Sequence, residues 1–159
     1  MKPIFVSVRV DRPRDEVFAF LDVLANHVQF TDHMLIDWSF DGPVAGVGGK
    51  ARERANMPGE HWMDTEVLES VPPIRTVEET VGANGKRRTR GTYTLDELPG
   101  GATDIHFQLE YLEAPGPERL AAPLIRAYMR RANAKAMRRL GEALARSEPQ
   151  AGASGAASH

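Results

Sequence analysis

Residues 117–146 read PERLAAPLIRAYMRRANAKAMRRLGEALAR, and this stretch decides the fold because its helical periodicity is longer and more continuous than any other in the chain. One side of the pattern repeats at three- and four-residue steps and consists of Ile125, Met129, Ala132, Asn133, Ala136, Leu140 and Leu144. The opposite side is mostly basic, so the spacing predicts a long helix with one buried face and one solvated face. Pro123 lacks a backbone donor and predicts a bend near the beginning of this helix.

The middle of the buried stripe carries small and polar residues. Ala132 and Ala136 stand where a tightly filled core more often has leucine or isoleucine, and Asn133 between them is polar. We therefore expect open space beneath the centre of the helix, with the side chain of Asn133 directed into it.

The chain before this helix is rich in the two-residue alternation that is typical of strands. Ile4, Val6, Val8 and Val10 share one face of a first strand. An amphipathic helix with acidic residues in its first turn follows, and then a second short helix or loop at residues 26–32. Six further strands are predicted at residues 34–40, 50–56, 61–69, 74–81, 87–95 and 103–111, separated by turns rich in glycine, proline and asparagine.

These elements predict an α+β domain in which a strongly curved antiparallel sheet of about seven strands wraps around the long C-terminal helix. In the last strand Ile105, Phe107 and Leu109 alternate with polar residues, so one face of the sheet is apolar and needs a cover. The helix stripe is the large apolar surface that can supply it. Residues 1–146 form this single predicted domain, and residues 147–159, rich in alanine, glycine and serine, are predicted to be a disordered tail.

Composition excludes several classes of site. The chain has no cysteine, which removes disulfides, thiolate catalysis and cysteine-ligated metals from consideration.

No apolar run approaches the roughly 18 residues that a membrane-spanning helix needs, and the N-terminus moves directly into a strand pattern without a signal-peptide core. We therefore expect a cytoplasmic protein without integral membrane association. Nothing in the sequence fixes its oligomeric state.

The net charge of −2 hides a strong asymmetry. Residues 117–146 contain eight lysines and arginines against two glutamates, a net +6, which leaves −8 on the rest of the chain. This basic helix is expected to attract the acidic body of its own domain. Its outer face, which includes Arg131, Lys135 and Arg138, is alternatively a docking surface for a protein or an anionic membrane. We expect no nucleic-acid partner, because few aromatic residues lie near the basic face.

Several local motifs occur in a fixed order along residues 4–146. They are SVRVDRP at 7–13 with VF at 17–18 and Leu21, GP at 42–43 with GVG at 46–48, VPPIR at 71–75, GTY at 91–93 and MRRL at 137–140. Together these motifs resemble the SRPBCC superfamily, the START-like helix-grip proteins that include polyketide cyclase/dehydrase-like members. None of them is a catalytic signature, and they are diagnostic as a set rather than singly.

The resemblance implies a hydrophobic ligand, such as a lipid, sterol, polyketide or plant hormone, held in a cavity between the sheet and the long helix. Some members of the superfamily catalyse cyclisation or dehydration there, so two functions remain open. One is ligand binding with polyketide cyclase/dehydrase-like catalysis, and the other is non-enzymatic transport or sensing of a lipid or isoprenoid. The chain departs from a common pattern at Phe30, where a tryptophan often follows the first helix, so no aromatic lid residue is transferred.

The candidate ligand-binding residues come from the patterning of the predicted strands and helix. Apolar side chains that could line the cavity, although each also suits an ordinary core, are Met34, Trp38, Phe40, Met63, Phe107 and Met129. Tyr93, Tyr111 and Asn133 are the polar groups that point inward and would hydrogen-bond a carbonyl or hydroxyl group. His33, beside the expected entrance, is a candidate ligand contact or proton carrier. No residue is assigned a catalytic role.

Histidines and carboxylates are concentrated in one part of the sequence. The group comprises His27, Asp32, His33, Asp37, Glu60, His61 and Asp64. Its spacing repeats no known ligand pattern, and the histidines are not placed at i and i+4 of a predicted helix. We therefore interpret these side chains as loop and surface residues, and we expect neither a metal nor another cofactor.

Overall fold

The computed structural model describes residues 1–147, so the predicted tail lies, apart from Ser147, outside the described residues. The strands are β1 (Ile4–Val10), β2 (Leu35–Asp41), β3 (Lys50–Ala55), β4 (Trp62–Val71), β5 (Arg75–Gly82), β6 (Arg87–Glu97) and β7 (Thr103–Glu113). The helices are α1 (Arg14–Leu21), a 3₁₀ helix (Leu24–His27), α2 (Val28–Thr31), α3 (Gly116–Leu120) and α4 (Ala122–Arg146).

The strands form one antiparallel sheet of seven strands in the order β1-β7-β6-β5-β4-β3-β2. Strands β2 to β7 pair with their neighbours in sequence, whereas β1 pairs with β7 at the opposite edge from β2. Ile4 lies opposite Leu109 and Val8 opposite Ile105, so both strands direct apolar side chains to the same side. The short helices carry the chain from one edge of the sheet to the other. This architecture confirms the predicted α+β helix-grip fold.

Helix α4 covers the inner face of the sheet chiefly at β1 and also packs against α2. Its buried residues are Ala132, Asn133, Ala136, Met137, Leu140, Ala143 and Leu144. The predicted stripe is therefore the buried face, with Met137 and Ala143 as additions, while Ile125 and Met129 near the beginning of the helix stay partly exposed. Leu140 is fully buried and belongs to the main core, which also takes side chains from β1, β6, β7, α1 and α2.

The beginning of the long helix differs from the prediction of one bent helix over residues 117–146. Two helices occupy this stretch, and Ala121, with φ −91° and ψ 13°, separates them. Pro123 lies in the first turn of α4, where its missing backbone donor costs no hydrogen bond. The proline thus begins α4 and does not bend a continuous helix.

The outer face of α3 and α4 changes character along its length. Leu120 and Leu124 are 89% and 77% exposed, so its first part is apolar. Arg131, Lys135 and Arg138 further along are solvent-accessible, as expected for the basic side of the helix. Whether this face docks a partner stays a prediction. No helix in the described part of the chain is both long and apolar enough to cross a membrane.

Two chain reversals agree with the turn signals in the sequence. Ala83 and Asn84 have φ values of 51° and 55° and, with Gly85 at 84°, close the β5–β6 hairpin. Asn-Gly pairs favour this left-handed conformation in tight hairpins. Between β4 and β5, Pro72 and Pro73 interrupt the strand pairing and are joined by a cis peptide bond.

Candidate functional site

The inner face of the sheet has an apolar part and a polar part. On β1 and β7, near α4, the inward side chains are apolar, as Val10, Ile105 and Leu109 show. Inward positions of β3, β4 and β5 instead carry a set that we call the polar row, namely Glu53, Thr65, Glu78 and Thr80. A few hydrogen-bonding groups in an apolar surrounding are what orients a small molecule in a binding site.

Glu53 is the most deeply buried member of the polar row, with 1% exposure. The alternation of β3 turns it inward with Ala51, whereas Lys50 and Arg52 point outward. Thr65 on β4 donates a 2.6 Å hydrogen bond from Oγ1 to Oε1 of Glu53. The other carboxyl oxygen, Oε2, is buried and has no hydrogen-bond partner among the residues that the structure describes.

The hydroxyl group of Thr65 also lies 2.7 Å from the hydroxyl group of Thr80 on the neighbouring strand. When Thr65 uses its single proton on Glu53, Thr80 is the donor of this second hydrogen bond. Two hydroxyl groups in a row thus direct their protons toward Oε1 of Glu53. When the carboxyl group is neutral and Oε1 accepts from Thr65, its own proton lies on Oε2.

Burial changes the protonation of Glu53. Removal from water raises the pKa of its carboxyl group from 4.5 to about 8, and repulsion from Glu78 and Asp64 acts in the same direction. The hydrogen bond from Thr65 and the charge of Arg52 lower the pKa, but desolvation outweighs both. At neutral pH Glu53 is therefore a neutral acid that can donate a hydrogen bond.

A second acid, Glu78 of β5, faces His27 of the 3₁₀ helix. Nε2 of His27 donates a 2.8 Å hydrogen bond to the carbonyl oxygen of Leu21, which leaves Nδ1 turned toward Oε2 of Glu78 at 3.7 Å. Burial raises the pKa of Glu78, and His27 opposes the rise. The Glu78 side chain keeps 17% of its surface accessible, against 4% for His27. Glu78 is therefore the more accessible of the two acids in the polar row.

Tyr93 connects the polar row with the main core. Its ring stands edge-on to His27 with 5.8 Å between ring centroids and lies 4.6 Å from the ring of Phe107. Burial raises the pKa of the Tyr93 phenol well above its ordinary value, and the nearby Glu78 adds to the rise. Tyr93 and Phe107, both predicted site residues, thus lie side by side in the core, and the phenol is a neutral hydrogen-bonding group.

The three methionines predicted to contact a ligand are all partly exposed. Met63 stands opposite Glu53 in the β3–β4 register. Met129 packs from α4 against the main core, and Met34 follows α2, where its carbonyl oxygen accepts from the backbone amide of Asn56. Their unbranched side chains can rearrange around molecules of different shape.

Trp38 and Phe40 lie on the edge strand β2 with their rings stacked at 5.7 Å. Trp38 packs against a small cluster formed by Leu24, Ala51 and Val67. Phe40 is 46% exposed and borders a depression of about 420 Å³ whose other walls include outward side chains of β3, β4 and β5. Most of the residues that line this depression point outward from the sheet, but Ala51 and Thr65 of the inner face also border it.

His33 and Asn133 already have partners within the protein. Nε2 of His33 donates to the carbonyl oxygen of Ala132 at 2.9 Å, and Nδ1 lies 3.3 Å from the guanidinium group of Arg139. The side-chain amide of Asn133 donates to the carbonyl oxygen of Met129 one turn earlier, at 2.8 Å. His33 therefore ties the segment after α2 to α4, and ligand contacts by either residue stay predictions.

The histidines considered as metal ligands have separate partners. His61 lies 3.0 Å from the carbonyl oxygen of Pro58, whereas His27 contacts α1 and β5 and His33 contacts α4. Within residues 1–147, no group of three His, Cys, Asp or Glu side chains is placed to hold a metal ion.

Sequence reasoning missed the two acids of the polar row. Glu53 has the same parity on β3 as the small residue Ala51, so strict alternation would have placed it inward. The signal for Glu78 is weaker, because the β4–β5 pairing contains a bulge that shifts the parity of the two strands. The sequence identifies His27 only as a candidate metal ligand or loop residue, and its contact with Glu78 depends on the tertiary fold.

Solved structures share this arrangement of strands and helices. The protein TTHA0849 from Thermus thermophilus superposes with a TM-score of 0.70 at 17% identity, covering 92% of this chain and 100% of that one. A conserved protein from Geobacillus kaustophilus gives a TM-score of 0.72 at 12% identity, covering 92% and 97%. Norcoclaurine synthase from Thalictrum flavum gives 0.68 at 17% identity, covering 92% of this chain and 87% of the synthase. At these low sequence identities, the similarity to the three solved structures establishes the fold alone.

The sequence match extends over nearly all of the described residues. No curated protein matches the chain significantly. Residues 4–145, however, match the family described as polyketide cyclase/dehydrase and lipid transport, which has the SRPBCC-type fold expected from the motifs. The chain therefore belongs to the polyketide cyclase/dehydrase and lipid transport family of helix-grip proteins.

Proposed function

We propose that this protein binds a small hydrophobic molecule, such as a polyketide, a lipid or an isoprenoid, between the inner face of the sheet and α4. The observation that carries the proposal is the polar row, which lies on β3, β4 and β5, whereas α4 packs chiefly on β1. A buried carboxyl group without a counter-charge destabilises a fold. Glu53 is such a group, and together with Glu78, which faces His27, it supports a functional use of this inner surface.

Apolar and adaptable side chains surround the polar row. Tyr93 and Phe107 form one side of it, and Met63 lies opposite Glu53. The proposed ligand contacts are His33, Met34, Trp38, Phe40, Met63, Tyr93, Phe107, Met129 and Asn133, to which the polar row adds Glu53 and Glu78. A ligand in this position is held mainly by apolar contacts and oriented by a few polar ones.

The same groups have the properties needed for cyclase/dehydrase-like chemistry. Ring closure or loss of water from a polyketide requires an acid at a carbonyl oxygen and a base that takes a proton from the adjacent carbon. Glu53 is a neutral acid, and the pair formed by Glu78 and His27 is the candidate proton acceptor. In the alternative function, a non-enzymatic carrier or sensor of a lipid or isoprenoid, these groups orient the ligand without reacting.

Native mass spectrometry of the protein purified from its own cells tests the binding proposal. We expect an additional mass on the folded chain that is released when the chain is denatured. The released molecule is then incubated with fresh protein. Loss of water or ring closure identifies an enzyme, whereas an unchanged molecule identifies a carrier or sensor. A folded chain without bound mass that also fails to bind hydrophobic fluorescent probes would contradict the proposal.

A further inference from the structure

Glu53 is the member of the inner face whose hydrogen bonding is incomplete. Its Oε1 accepts a hydrogen bond from Thr65 at 2.6 Å, while its buried Oε2 has no partner within the described part of the chain. Buried polar atoms in folded proteins are almost always paired, and an unpaired one lowers stability. The missing partner of Oε2 is therefore informative about what the site holds.

We propose that Oε2 of Glu53 donates a hydrogen bond to an oxygen acceptor of the bound molecule, so that the site selects hydrophobic ligands that carry a carbonyl group over hydrocarbon-like ligands of similar size. This inference rests on the proposed function and specifies its ligand class. The proposal takes the arrangement in which Thr80 donates to Thr65 and Thr65 donates to Oε1, which leaves Oε2 as the place for the carboxyl proton.

The charges around Glu53 favour an acceptor over a cation as its partner. Glu78 and Asp64 both disfavour ionisation of Glu53. Arg52, the basic group that acts against them, points outward and forms an ion pair with Asp64 at 3.0 Å. Glu53 is therefore a neutral donor at neutral pH, and a neutral carbonyl oxygen satisfies it without burying a charge.

Met63 is the side chain that neighbours Glu53 across the β3–β4 pair. Met63 stands directly opposite Glu53 on β4 and is partly exposed. Its unbranched side chain can change rotamer at low cost, unlike a β-branched residue in the same position. A rotamer change of Met63 can therefore make room for a ligand beside Glu53.

Two neutral fluorescent probes of similar size test this inference on the full-length chain stripped of co-purified molecules. Prodan is a naphthalene with a ketone group, whereas N-phenyl-1-naphthylamine has no carbonyl group. Each probe is titrated into the wild-type protein, Glu53→Gln, Glu53→Met and the control Glu66→Gln, whose residue is exposed on the outer face of β4. Circular dichroism shows whether each variant is folded.

We expect Glu53→Met to weaken prodan binding by about tenfold, the effect of losing one hydrogen bond, and to leave the affinity for N-phenyl-1-naphthylamine unchanged. Glu53→Gln keeps prodan binding, because Thr65 holds the amide oxygen at Oε1 and the amide NH₂ replaces Oε2–H. Binding of both probes with no selective effect of Glu53→Met would overturn the role of Glu53 and leave the binding function intact. Failure of both probes to bind the folded wild-type chain would overturn the binding function and this inference with it.

The pH dependence of prodan binding is a second readout. Neither probe changes its charge near neutral pH. Wild-type affinity for prodan should fall by about tenfold between about pH 7 and about pH 9, because the donor form of a group with a pKa of about 8 decreases over that interval. Prodan binding to Glu53→Gln should not change over the same interval. An affinity that is constant or rises with pH in the wild type contradicts donation from Glu53.

Discussion

Thr65 and Glu53 are joined by a 2.6 Å hydrogen bond across the β3–β4 pair, and this contact lowers the pKa of the carboxyl group less than burial raises it. The folded protein therefore binds a proton on Glu53 more tightly than the unfolded chain does. Such a group contributes stability that is fully present below its unfolded pKa of 4.5 and is lost as the pH rises through about 8. Alkaline conditions should weaken this fold through Glu53.

Glu53→Gln removes this titration while keeping the size of the side chain. Between about pH 5 and about pH 9 the wild type should lose about 2 to 4 kcal/mol of unfolding free energy relative to Glu53→Gln, which makes the variant the more stable protein at the higher pH. Urea denaturation at both pH values measures the difference. Glu66→Gln, an exposed substitution on the outer face, should follow the wild type. Parallel pH dependence of Glu53→Gln and wild type would show that Glu53 titrates normally.

His27→Ala tests the pairing of His27 with Glu78. The substitution leaves the carbonyl oxygen of Leu21 without its donor, so we expect a loss of about 1 to 3 kcal/mol in unfolding free energy. It also removes the group that lowers the pKa of Glu78, so the pKa of the Glu78 carboxyl group should rise in the variant, which NMR titration measures. His106→Ala, on the outer face with 44% side-chain exposure, should change stability far less. An unchanged pKa of Glu78 in His27→Ala would show that the two side chains do not interact.

The fold could be predicted because its signals repeat along the chain. The stripe of α4 recurs over several turns, and the alternation of β7 recurs over four inward positions, so a single irregular residue does not hide either pattern. The interruption at Ala121 is marked only by Pro123 two residues later, which fits a bend in one helix as well as the start of a second helix, and alanine itself is a strong helix former. Local exceptions of this kind depend on tertiary contacts that one sequence does not specify.

The site could be predicted only in part, for a related reason. Tyr93 and Phe107 could be predicted as inward-facing residues because both lie on the apolar face of clearly alternating strands. Glu53 has the parity of a buried residue, but a glutamate between two arginines has the composition of a surface strand. The partners of His33 lie on α4, about a hundred residues later, and no local pattern connects them.

Two leucines of α4 provide a matched test of how the helix is held. Leu140 is fully buried against the main core, whereas Leu124 is 77% exposed on the outer face. Leu140→Ala should lower the unfolding free energy by about 2 to 5 kcal/mol, because it removes buried methyl groups and leaves a cavity. Leu124→Ala should change it by no more than about 0.5 kcal/mol. Chemical denaturation measures the unfolding free energy of both variants. Similar losses in the two variants would mean that Leu140 is not the side chain that holds α4 against the main core.

Gly91 is required by close packing between neighbouring strands. A Cβ atom at this position would lie 3.0 Å from Cε2 of Phe107 and 3.3 Å from Cγ of Glu78. Gly91→Ala should therefore push the Phe107 ring against Tyr93 and destabilise the protein by about 1 to 3 kcal/mol, as overpacking of a core usually does. Gly116→Ala, where a Cβ atom would meet nothing within 4 Å, is the matched control and should be close to neutral.

Because Phe107 and Glu78 both border the proposed site, Gly91→Ala should also weaken probe binding. A variant with wild-type stability and wild-type probe affinity would mean that the inner face at Gly91 is more open than this packing indicates.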